Sequence, residues 1–441
     1  MFISNRKLRV SLEILVLLGA VVIPATLSGH SYGPAPRRTG APGDNAAACT
    51  QCHGGNALNS GEGSVRIVLQ SGPVYIPGVK QRVVVQVADP NAQRWGFEMT
   101  ARLNSNLQDG QAGDLTPVDN MTQVICEDNA PKPCASGVLF ITHTSVGSRL
   151  GTRNGASFQF DWTPPATDVG KVTLYVAGNA ANGDGTSNGD RIYTSNIELT
   201  PLNPAKPSIA AGGVVSAATM TAVPVSGNSW ITIKGTDLAV TTRGFNELDL
   251  SNGMMPLSLD GVSAMLIQFG APRLLYVGYV SPTQLNVLLP NDLNLAAATI
   301  QVRNSAGISA GSAITLAANG PQLFSSDTGA LASHADGSLV TKAAPAAPGE
   351  TIGIYATGVA GTTAALTPGI VPAAPLNLAT PPQVTVAGSA ATVTSAFLLP
   401  GQPGVCRINF QVPAGAANGD QAVVIQVGTA SSVSTNIPVQ K

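Results

Sequence analysis

Apolar and polar positions alternate along much of the chain between about residue 64 and residue 202. Seven stretches there alternate β-branched or aromatic residues with polar ones and are separated by Gly, Asn, Asp or Pro; they are SVRIVLQ, QRVVVQVAD, RWGFEMTARL, GVLFITHT, ASFQFDWTPP, KVTLYVAGNA and RIYTSNIELTPL. A period of two residues is typical of strands that bury one face. Seven such strands within about 140 residues predict an antiparallel β-sandwich.

The sequence beyond this region repeats itself. WITIKGTDLA at 230–239 returns as TIGIYATGVA at 351–360, and SPTQLNVLLPNDL at 281–293 returns as QPGVCRINFQVPAGA at 402–416. The offset of about 120 residues is too long for a solenoid unit, whose period is roughly 20–50 residues. The repeat therefore predicts two tandem β-sandwich modules.

A Pro-rich run, TPLNPAKP at 200–207, predicts a linker between the first sandwich and the repeated part. The predicted fold class is all-β, with tandem antiparallel sandwich modules behind a short irregular arm. The predicted boundaries are a signal peptide at 1–29, the arm at 30–63, a sandwich at 64–202, the linker at 203–207, and two modules at 208–318 and 319–441.

The first residues have the pattern of an export signal. Arg6, Lys7 and Arg9 precede the apolar run ILVLLGAVVI at 14–23, and small residues at 25–29 offer a cleavage zone. An apolar run of about ten residues is shorter than the roughly 20 that span a bilayer, although an uncleaved anchor is the alternative. No later run reaches spanning length. We therefore expect an exported protein, periplasmic, on the cell surface or extracellular, with no transmembrane span in the mature chain.

Composition narrows the function. Charged residues make up 11% of the chain and the formal net charge is -1, so no basic footprint predicts a nucleic-acid partner. The sequence contains no Gly-x-Ser-x-Gly elbow and no histidine beside a nucleophile, and His334 lies alone in the loop segment ASHADG, where a solvated surface histidine is expected. A non-enzymatic protein is predicted.

Three cysteines lie outside the arm. In an oxidising compartment Cys126 and Cys134, in CEDNAPKPC, are predicted to form a disulfide, with two free thiols as the alternative. Cys406 lies in the alternating stretch VCRINFQV and is predicted to be a buried, inert thiol.

The segment at about 32–202 resembles the bacterial Reeler-like domain known as the choice-of-anchor V domain. The blocks that carry the resemblance follow the family's order and are RTGAPGD, CTQCHGG, GSVRI, PGVKQRVVVQV, RWGFEMTA, FITHT, FDWTPP, LYVAGNAANGDGTSNGD and IYTSN. The segment at about 208–439 resembles an uncharacterised C-terminal domain of exported proteins from soil bacteria. Its blocks are VVSAATMTAVPVSGNSWITIKGTDLA, LLYVGYVSPTQLNVLLP, PAAPGETIGIYATGV and GVCRINFQVPAGAANGDQAVVI. This second resemblance implies two immunoglobulin-like modules, and neither implies an enzymatic activity.

The arm carries the motif with the clearest chemistry, Cys49-x-x-Cys52-His53 in NAAACTQCHGG. Two cysteines at this spacing attach a haem through thioethers, and the histidine after the second cysteine supplies the proximal ligand to the iron. A short helix over this segment, with Asp44 or Asn45 as its N-cap, would present both sulfurs to one edge of the porphyrin. The motif predicts haem c.

Two alternatives use the same residues. The first is a Cys49–Cys52 disulfide, with His53 lowering the pKa of the thiols. The second is zinc or another metal, although no second Cys-x-x-Cys or His-x-x-x-His supplies the remaining ligands of a tetrahedral site.

A haem also needs its sixth coordination position assigned. His143 in LFITHTSV lies on a predicted strand of the same domain, and Met99 and Met121 are the alternatives. The alternative is that His143 has a structural role only, as a strand histidine hydrogen-bonded to the backbone. Nearby aromatic residues are more typical of a sandwich core than of a porphyrin pocket; they are Trp95, Phe97, Phe158, Phe160 and Trp162.

A second candidate site is the run NAANGDGTSNGD at 179–190, which alternates oxygen-bearing side chains with glycine. The spacing is similar to the first half of a calcium loop, although the later bidentate glutamate is absent and a Gly/Asn-rich hairpin is the alternative. The candidate calcium ligands are Asn182, Asp184, Thr186, Asn188 and Asp190.

The sequence thus predicts an exported β-sandwich protein that carries covalent haem c and acts as an electron carrier or redox partner. The alternative is a non-enzymatic cell-surface adhesion or scaffold protein, in which Cys49 and Cys52 form a structural disulfide. Its ligand would then be a partner protein or a polysaccharide on the cell surface.

Overall fold

The computed structural model describes residues 31–135, 137–326, 329–359 and 361–441. The predicted signal peptide at 1–29 lies outside the described residues. The described residues form antiparallel strands, one parallel strand pair and two single-turn 3-10 helices, Ala48–Gln51 and Glu247–Asp249. The predicted all-β class with antiparallel sandwich modules is confirmed. None of the described helices is long and apolar enough to cross a membrane.

The first module contains all seven strands that the alternating pattern predicts. The described strands of this module are β1 Ser64–Leu69, β2 Val74–Tyr75, β3 Gln81–Ala88, β4 Arg94–Leu103, β5 Asn106–Gln111, β6 Asp114–Pro117, β7 Thr122–Ile125, β8 Phe140–His143, β9 Ala156–Thr163, β10 Val172–Ala181 and β11 Arg191–Pro201. One sheet has the order β1-β3-β9-β6, and the other has the order β2-β11-β10-β4-β8-β7, with β5 paired to β4. Strands from both sheets contribute to one buried core that includes Val85, Phe97, Phe158 and Leu174.

The second module begins after the predicted linker. The described strands of this module are β12 Ser208–Ser216, β13 Trp230–Thr236, β14 Arg243–Gly244, β15 Ser263–Gln268, β16 Ala271–Leu274, β17 Tyr276–Val280, β18 Gln284–Leu288, β19 Ala298–Asn304, β20 Gly307–Ile308 and β21 Ser312–Ile314. They form two sheets, with the orders β12-β13-β18-β17-β14 and β16-β15-β19-β20, and β21 pairs with β19.

The third module has a buried core of its own, which includes Ile354, Ile408 and Ile425. The described strands of this module are β22 Gln322–Leu323, β23 Ser325–Ser326, β24 Gly329–Ala330, β25 Ala332–Ser333, β26 Thr351–Thr357, β27 Leu376–Asn377, β28 Gln383–Val386, β29 Ser389–Leu398, β30 Cys406–Gln411, β31 Gly419–Val427, β32 Ala430–Ser431 and β33 Thr435–Val439. The start of β29 pairs with β28 and the rest of it pairs with β30, so one long strand joins both halves of the sheet.

The sequence repeat corresponds to a repeated strand pair. In the second module β13 pairs with β18, and in the third module β26 pairs with β30, both antiparallel. Asn286 lies opposite Thr232 in the first pair, and Asn409 lies opposite Gly353 in the second. The repeated motifs therefore occupy equivalent places in the two sheets.

Polar contacts join neighbouring modules. The Ser71 hydroxyl donates to Asp260 Oδ2 at 2.7 Å between the first and second modules. Between the second and third modules, Trp230 Nε1 donates to the carbonyl of Pro403 at 2.6 Å and the Tyr276 hydroxyl donates to the carbonyl of Pro368 at 2.9 Å.

Both predictions for the cysteines outside the arm are confirmed. Cys126 and Cys134 form a disulfide, and Cys406 is a buried free thiol, 1% exposed. Burial raises the pKa of Cys406 to about 12, so the thiol stays neutral. The prediction for His334 is wrong in one respect, because His334 Nδ1 lies 2.5 Å from Glu350 Oε1 and the ring is not an isolated surface group.

Candidate functional site

The arm docks on the seven-stranded sheet through the Cys-x-x-Cys-His segment itself. Ala48 and Cys49 are buried in a small apolar cluster with Ala177 of β10 and Ile192 of β11. The predicted short helix is present as the single 3-10 turn Ala48–Gln51. The predicted N-cap is wrong: the cap position is occupied by Ala47 without a side-chain bond, because Asn45 Oδ1 instead accepts from the backbone N–H of Ala47, at 2.9 Å.

The candidate calcium loop at 179–190 is the second element that holds the arm. Gly54 forms a parallel bridge with Asn188. The N–H of Gly54 donates to the carbonyl of Ser187 at 2.9 Å, and the N–H of Gly189 donates to the carbonyl of Gly54 at 2.8 Å. Two motifs that the sequence presents separately thus form one site.

His53 of the arm contacts Asp190 of the loop, and this contact links the two motifs. His53 Nδ1 lies 2.6 Å from Asp190 Oδ2, and the Asp190 side chain is 1% exposed. Asp190 Oδ1 accepts from the backbone N–H of Asn182 at 3.1 Å, which fixes the carboxylate. A carboxylate at Nδ1 orients an imidazole so that Nε2 can ligate, which is the usual outer-shell arrangement of a metal-bound histidine. In the structure Asn179 Nδ2 lies 3.3 Å from Nε2 of His53, so a metal at Nε2 would replace that contact.

The remaining candidate calcium ligands bond within the loop. Asp184 accepts from the backbone N–H of Thr186 at 2.7 Å and from the Thr186 hydroxyl at 2.9 Å, and these bonds lower the pKa of Asp184. Asn182 Nδ2 donates to Asp184 as well, at 3.1 Å. Among the described residues, no three His, Cys, Asp or Glu side chains are grouped so that they could hold a metal ion. Calcium at this loop stays a prediction.

Cys49 and Cys52 are not joined to each other; both are free thiols. Cys49 is buried, with its Sγ 3.8 Å from the carbonyl oxygen of Arg38. Burial, with a smaller contribution from the nearby Glu98 carboxyl, raises the pKa of Cys49 to about 12. The expectation that His53 lowers the thiol pKa is therefore wrong for Cys49, because loss of water around the sulfur outweighs any nearby positive charge.

A cleft opens beside the arm and brings the predicted haem residues together. Cys49, Cys52 and His53 all line it, and so does His143, from a strand about 90 residues later in the chain.

His143 is held by the backbone of the neighbouring strand. Its Nδ1 lies 3.1 Å from the N–H of Phe97 and 3.3 Å from the carbonyl oxygen of Phe97. Gly96 lies against the ring: a Cβ at that position would lie 2.7 Å from Cε1 of His143. His143 is thus bonded to the backbone, as expected for a structural histidine, and it also lines the cleft.

The other candidates for the sixth position are not part of this cleft. Met99 is fully buried in the sandwich core, and Met121 does not line the cleft either. All five aromatic residues belong to the sandwich core, but only two of them, Trp95 and Phe97, also line the cleft. The other three are Phe158, Phe160 and Trp162.

Three features of the site are not predicted from the sequence. They are the bond between His53 and Asp190, the presence of Arg38 and Arg94 in the cleft lining, and the buried carboxyl of Glu98, whose Oε2 accepts from the backbone N–H of Arg38 at 2.6 Å. The sequence assigns Asp190 only to the candidate calcium site. An acid that closes a Gly/Asn-rich run could have drawn attention as a partner for His53, but no local pattern identifies the two arginines or Glu98.

The comparisons with known proteins add little. No family model matches the sequence, and no curated protein matches it. Among solved structures, the chain is similar to a cohesin module of a family 33 glycoside hydrolase from Clostridium perfringens, with 11% identity, a TM-score of 0.22, and coverage of 32% of this chain and 100% of that one. It is also similar to a DUF4466 family protein from Parabacteroides merdae, with 11% identity, a TM-score of 0.20, and coverage of 55% and 99%. Both TM-scores are too low to carry an argument about function.

Proposed function

We propose that the cleft carries a covalent haem c, attached through Cys49 and Cys52 and bound at its iron by His53, and that the protein acts as an electron carrier or redox partner. The observation that carries the proposal is the convergence of Cys49, Cys52, His53 and His143 on one cleft. A bound haem would supply one-electron transfer.

The donor set fits this group. Both cysteines are available as thiols, which thioether formation requires. His53 is bonded through Nδ1 to a buried carboxylate, an arrangement that raises the basicity of the opposite nitrogen. Trp95 and Phe97 supply an apolar wall, as a porphyrin ring needs.

His143 is the proposed sixth ligand. Ligation through Nε2 requires the proton of a neutral imidazole to lie on Nδ1. The carbonyl of Phe97, 3.3 Å from Nδ1, can accept that proton in a hydrogen bond, and the Phe97 N–H at 3.1 Å serves the other tautomer. The ring therefore has a backbone partner in either state, and two histidine ligands would favour electron transfer over ligand binding.

We propose export as well, to the periplasm, the cell surface or the extracellular medium, on the basis of the basic start and the apolar run at 14–23. This placement suits the site, because bacteria attach haem c outside the cytoplasm. The relation of the first module to the choice-of-anchor V domain, and of the other two to the C-terminal domain of exported soil-bacterial proteins, stays a proposal that rests on the quoted sequence blocks.

The test is a pyridine haemochrome spectrum of the full chain, made in the periplasm of a host that matures c-type haem. We expect haem absorption that survives denaturation of the protein and disappears in the double variant Cys49→Ala/Cys52→Ala. Cys406→Ala is the matched control, because it removes a free thiol outside the cleft. A colourless wild-type protein, beside a control cytochrome that matures normally, would refute the haem proposal.

A scaffold or adhesion protein is the second candidate function. It is favoured by the hydrogen-bonded joints between modules, such as Trp230 to Pro403, which hold tandem sandwiches in a fixed arrangement. In that case the arm would be structural, with Cys49 and Cys52 as free thiols. Thiol titration of the denatured, colourless protein would test this point: three free thiols per chain, with Cys406, support a structural arm, and fewer than three refute it.

A further inference from the structure

We propose that Arg38 and Arg94 bind the propionate carboxylates of the haem and thereby help to set its reduction potential. This inference rests on the proposed function, since it concerns the ligand of the same cleft. It starts from a charge imbalance in the cleft lining, where the described residues supply two guanidinium groups and one carboxylate, that of Asp190.

Asp190 does not neutralise the arginines. Its Oδ2 faces His53 Nδ1 at 2.6 Å, and its Oδ1 accepts from the backbone N–H of Asn182. Both oxygens of the carboxylate are therefore engaged. Two guanidinium charges therefore face one carboxylate charge in the described lining, and Asp190 forms an ion pair with neither arginine.

Arg94 is the clearer of the two cations. It is half-buried at the start of β4, opposite Ala181 of β10. Its guanidinium makes no hydrogen bond or ion pair with any residue that the structure describes. A half-buried guanidinium with five donors and no acceptor is suited to a carboxylate supplied from outside the protein.

Among the described residues, the Arg38 guanidinium bonds only to backbone carbonyl groups. Its Nη1 donates to the carbonyl of Pro36 at 3.3 Å and to the carbonyl of Arg37 at 3.1 Å, both on its own segment. The nearby Glu98 accepts from the Arg38 backbone and not from its guanidinium, and burial holds the pKa of Glu98 well above its usual range. A charge-assisted bond to a carboxylate is stronger than a bond to a carbonyl oxygen, so a propionate would displace these contacts.

The anions that a haem brings match this pair of cations. A haem has two propionate groups on one edge, and its iron binds His53 and His143 in the proposed site. Guanidinium groups bind carboxylates in bidentate geometry. Positive charge near the iron favours the ferrous state, because the ferric state has one more positive charge.

The test measures the midpoint potential of the haem by spectroelectrochemistry, after the haem content of each protein has been determined. The variants are Arg38→Gln, Arg94→Gln, Arg38→Lys and Arg94→Lys. Arg66→Gln is the matched control, since it removes the same charge from an exposed position on β1, in the other sheet. Each glutamine variant is expected to lower the ferrous-to-ferric ratio at a fixed solution potential about tenfold, or roughly 59 mV for a one-electron couple.

The outcomes separate the inference from the proposed function. Wild-type protein without haem would refute the proposed function and the inference with it. Haem in the wild type, with potentials in the glutamine variants no lower than in Arg66→Gln, would refute the inference alone. Lysine variants near the wild-type potential support it. If a glutamine variant fails to acquire haem, the lysine variant decides: haem attached at a near-wild-type potential supports the proposed role, and failure to acquire haem there too refutes it.

Discussion

The carboxylate of Asp44 lies 2.6 Å from Nη2 of Arg102, and neither side chain is exposed to solvent. Asp44 belongs to the arm and Arg102 to β4, so this buried ion pair fastens the Cys-x-x-Cys-His segment to the sandwich. The Thr39 hydroxyl also donates to Asp44, at 2.5 Å. Burial lowers the pKa of Arg102, but the Asp44 carboxylate opposes that effect.

Asp44→Asn is expected to destabilise the first module by about 3 kcal/mol, because it leaves the buried charge of Arg102 uncompensated. Chemical denaturation measures the loss, and limited proteolysis should show faster cleavage within the arm. Asp109→Asn is the control: Asp109 pairs with Arg37 at the surface and is 65% exposed, so its loss should change the free energy of unfolding by less than about 1 kcal/mol. Equal effects of the two substitutions would contradict the anchoring role of Asp44.

Glu98→Gln is expected to make the protein more stable than the wild type at neutral pH. Glu98 is fully buried, and its Oε1 has no hydrogen-bond partner among the residues that the structure describes. Burial raises the pKa of Glu98 well above its usual value, so the folded protein keeps a proton that the unfolded chain releases. Wild-type stability therefore falls as pH rises above the unfolded pKa of about 4.5, by about 1.4 kcal/mol per pH unit until the folded pKa is reached.

The measurement is a pair of denaturation curves for the wild type and Glu98→Gln between about pH 4 and pH 8. Their difference should be smallest at acidic pH and grow with pH. Glu62→Gln, at an exposed position, should show no such trend. A pH-independent difference for Glu98→Gln would mean that the buried carboxyl is ionised.

His143→Ala is expected to open the sixth position of the proposed haem. The reduced variant should then bind carbon monoxide readily, with the spectral shift of a ligand entering the site, while the wild type resists binding. Met99→Leu is the matched control, because Met99 is buried in the core, away from the cleft. A wild type that binds carbon monoxide as readily as His143→Ala would exclude His143 as a ligand.

Removal of the Cys126–Cys134 disulfide should destabilise the first module. The bridge joins residues eight positions apart, and the chain-entropy model gives about 2.5 kcal/mol for a loop of this length. We expect that loss in the double variant Cys126→Ser/Cys134→Ser, measured by thermal and chemical denaturation. Reductant should destabilise the wild type by a similar amount and leave the variant unchanged. A variant as stable as the oxidised wild type would contradict the prediction.

The pair of His334 and Glu350 gives the third module its own pH dependence. The bond to Glu350 raises the pKa of His334 above its ordinary 6.5. A raised folded pKa stabilises the protein below the unfolded pKa, and this stabilisation is lost as pH rises through the folded pKa.

The free energy of unfolding of the wild type should therefore exceed that of His334→Gln by more at about pH 5 than at about pH 9. Glu350→Gln should remove most of this dependence, because it removes the charge that raises the histidine pKa. If Glu350→Gln keeps the wild-type pH profile, another group is responsible.

Much of the fold follows from local pattern. Strands such as β9 and β30 alternate because one face of each is more deeply buried than the other, and that period is visible in the sequence itself. Short polar strands are different: β5, with the sequence NLQDGQ, has no alternating pattern and becomes a strand only because β4 offers it an edge. The tandem sandwich class was therefore predictable, whereas the added edge strands were not.

The candidate site, like the fold, has parts that the sequence predicts and parts that it does not. The Cys-x-x-Cys-His motif and the disulfide between Cys126 and Cys134 are readable from spacing, because their chemistry depends on residues close in sequence. The contact between His53 and Asp190 joins residues 137 positions apart, and it exists because the arm packs against β10 and the loop that follows it. The sequence by itself determined the strands, the repeat and the candidate haem ligands; the tertiary structure decided their neighbours, because packing alone brings distant side chains into one low-dielectric cleft.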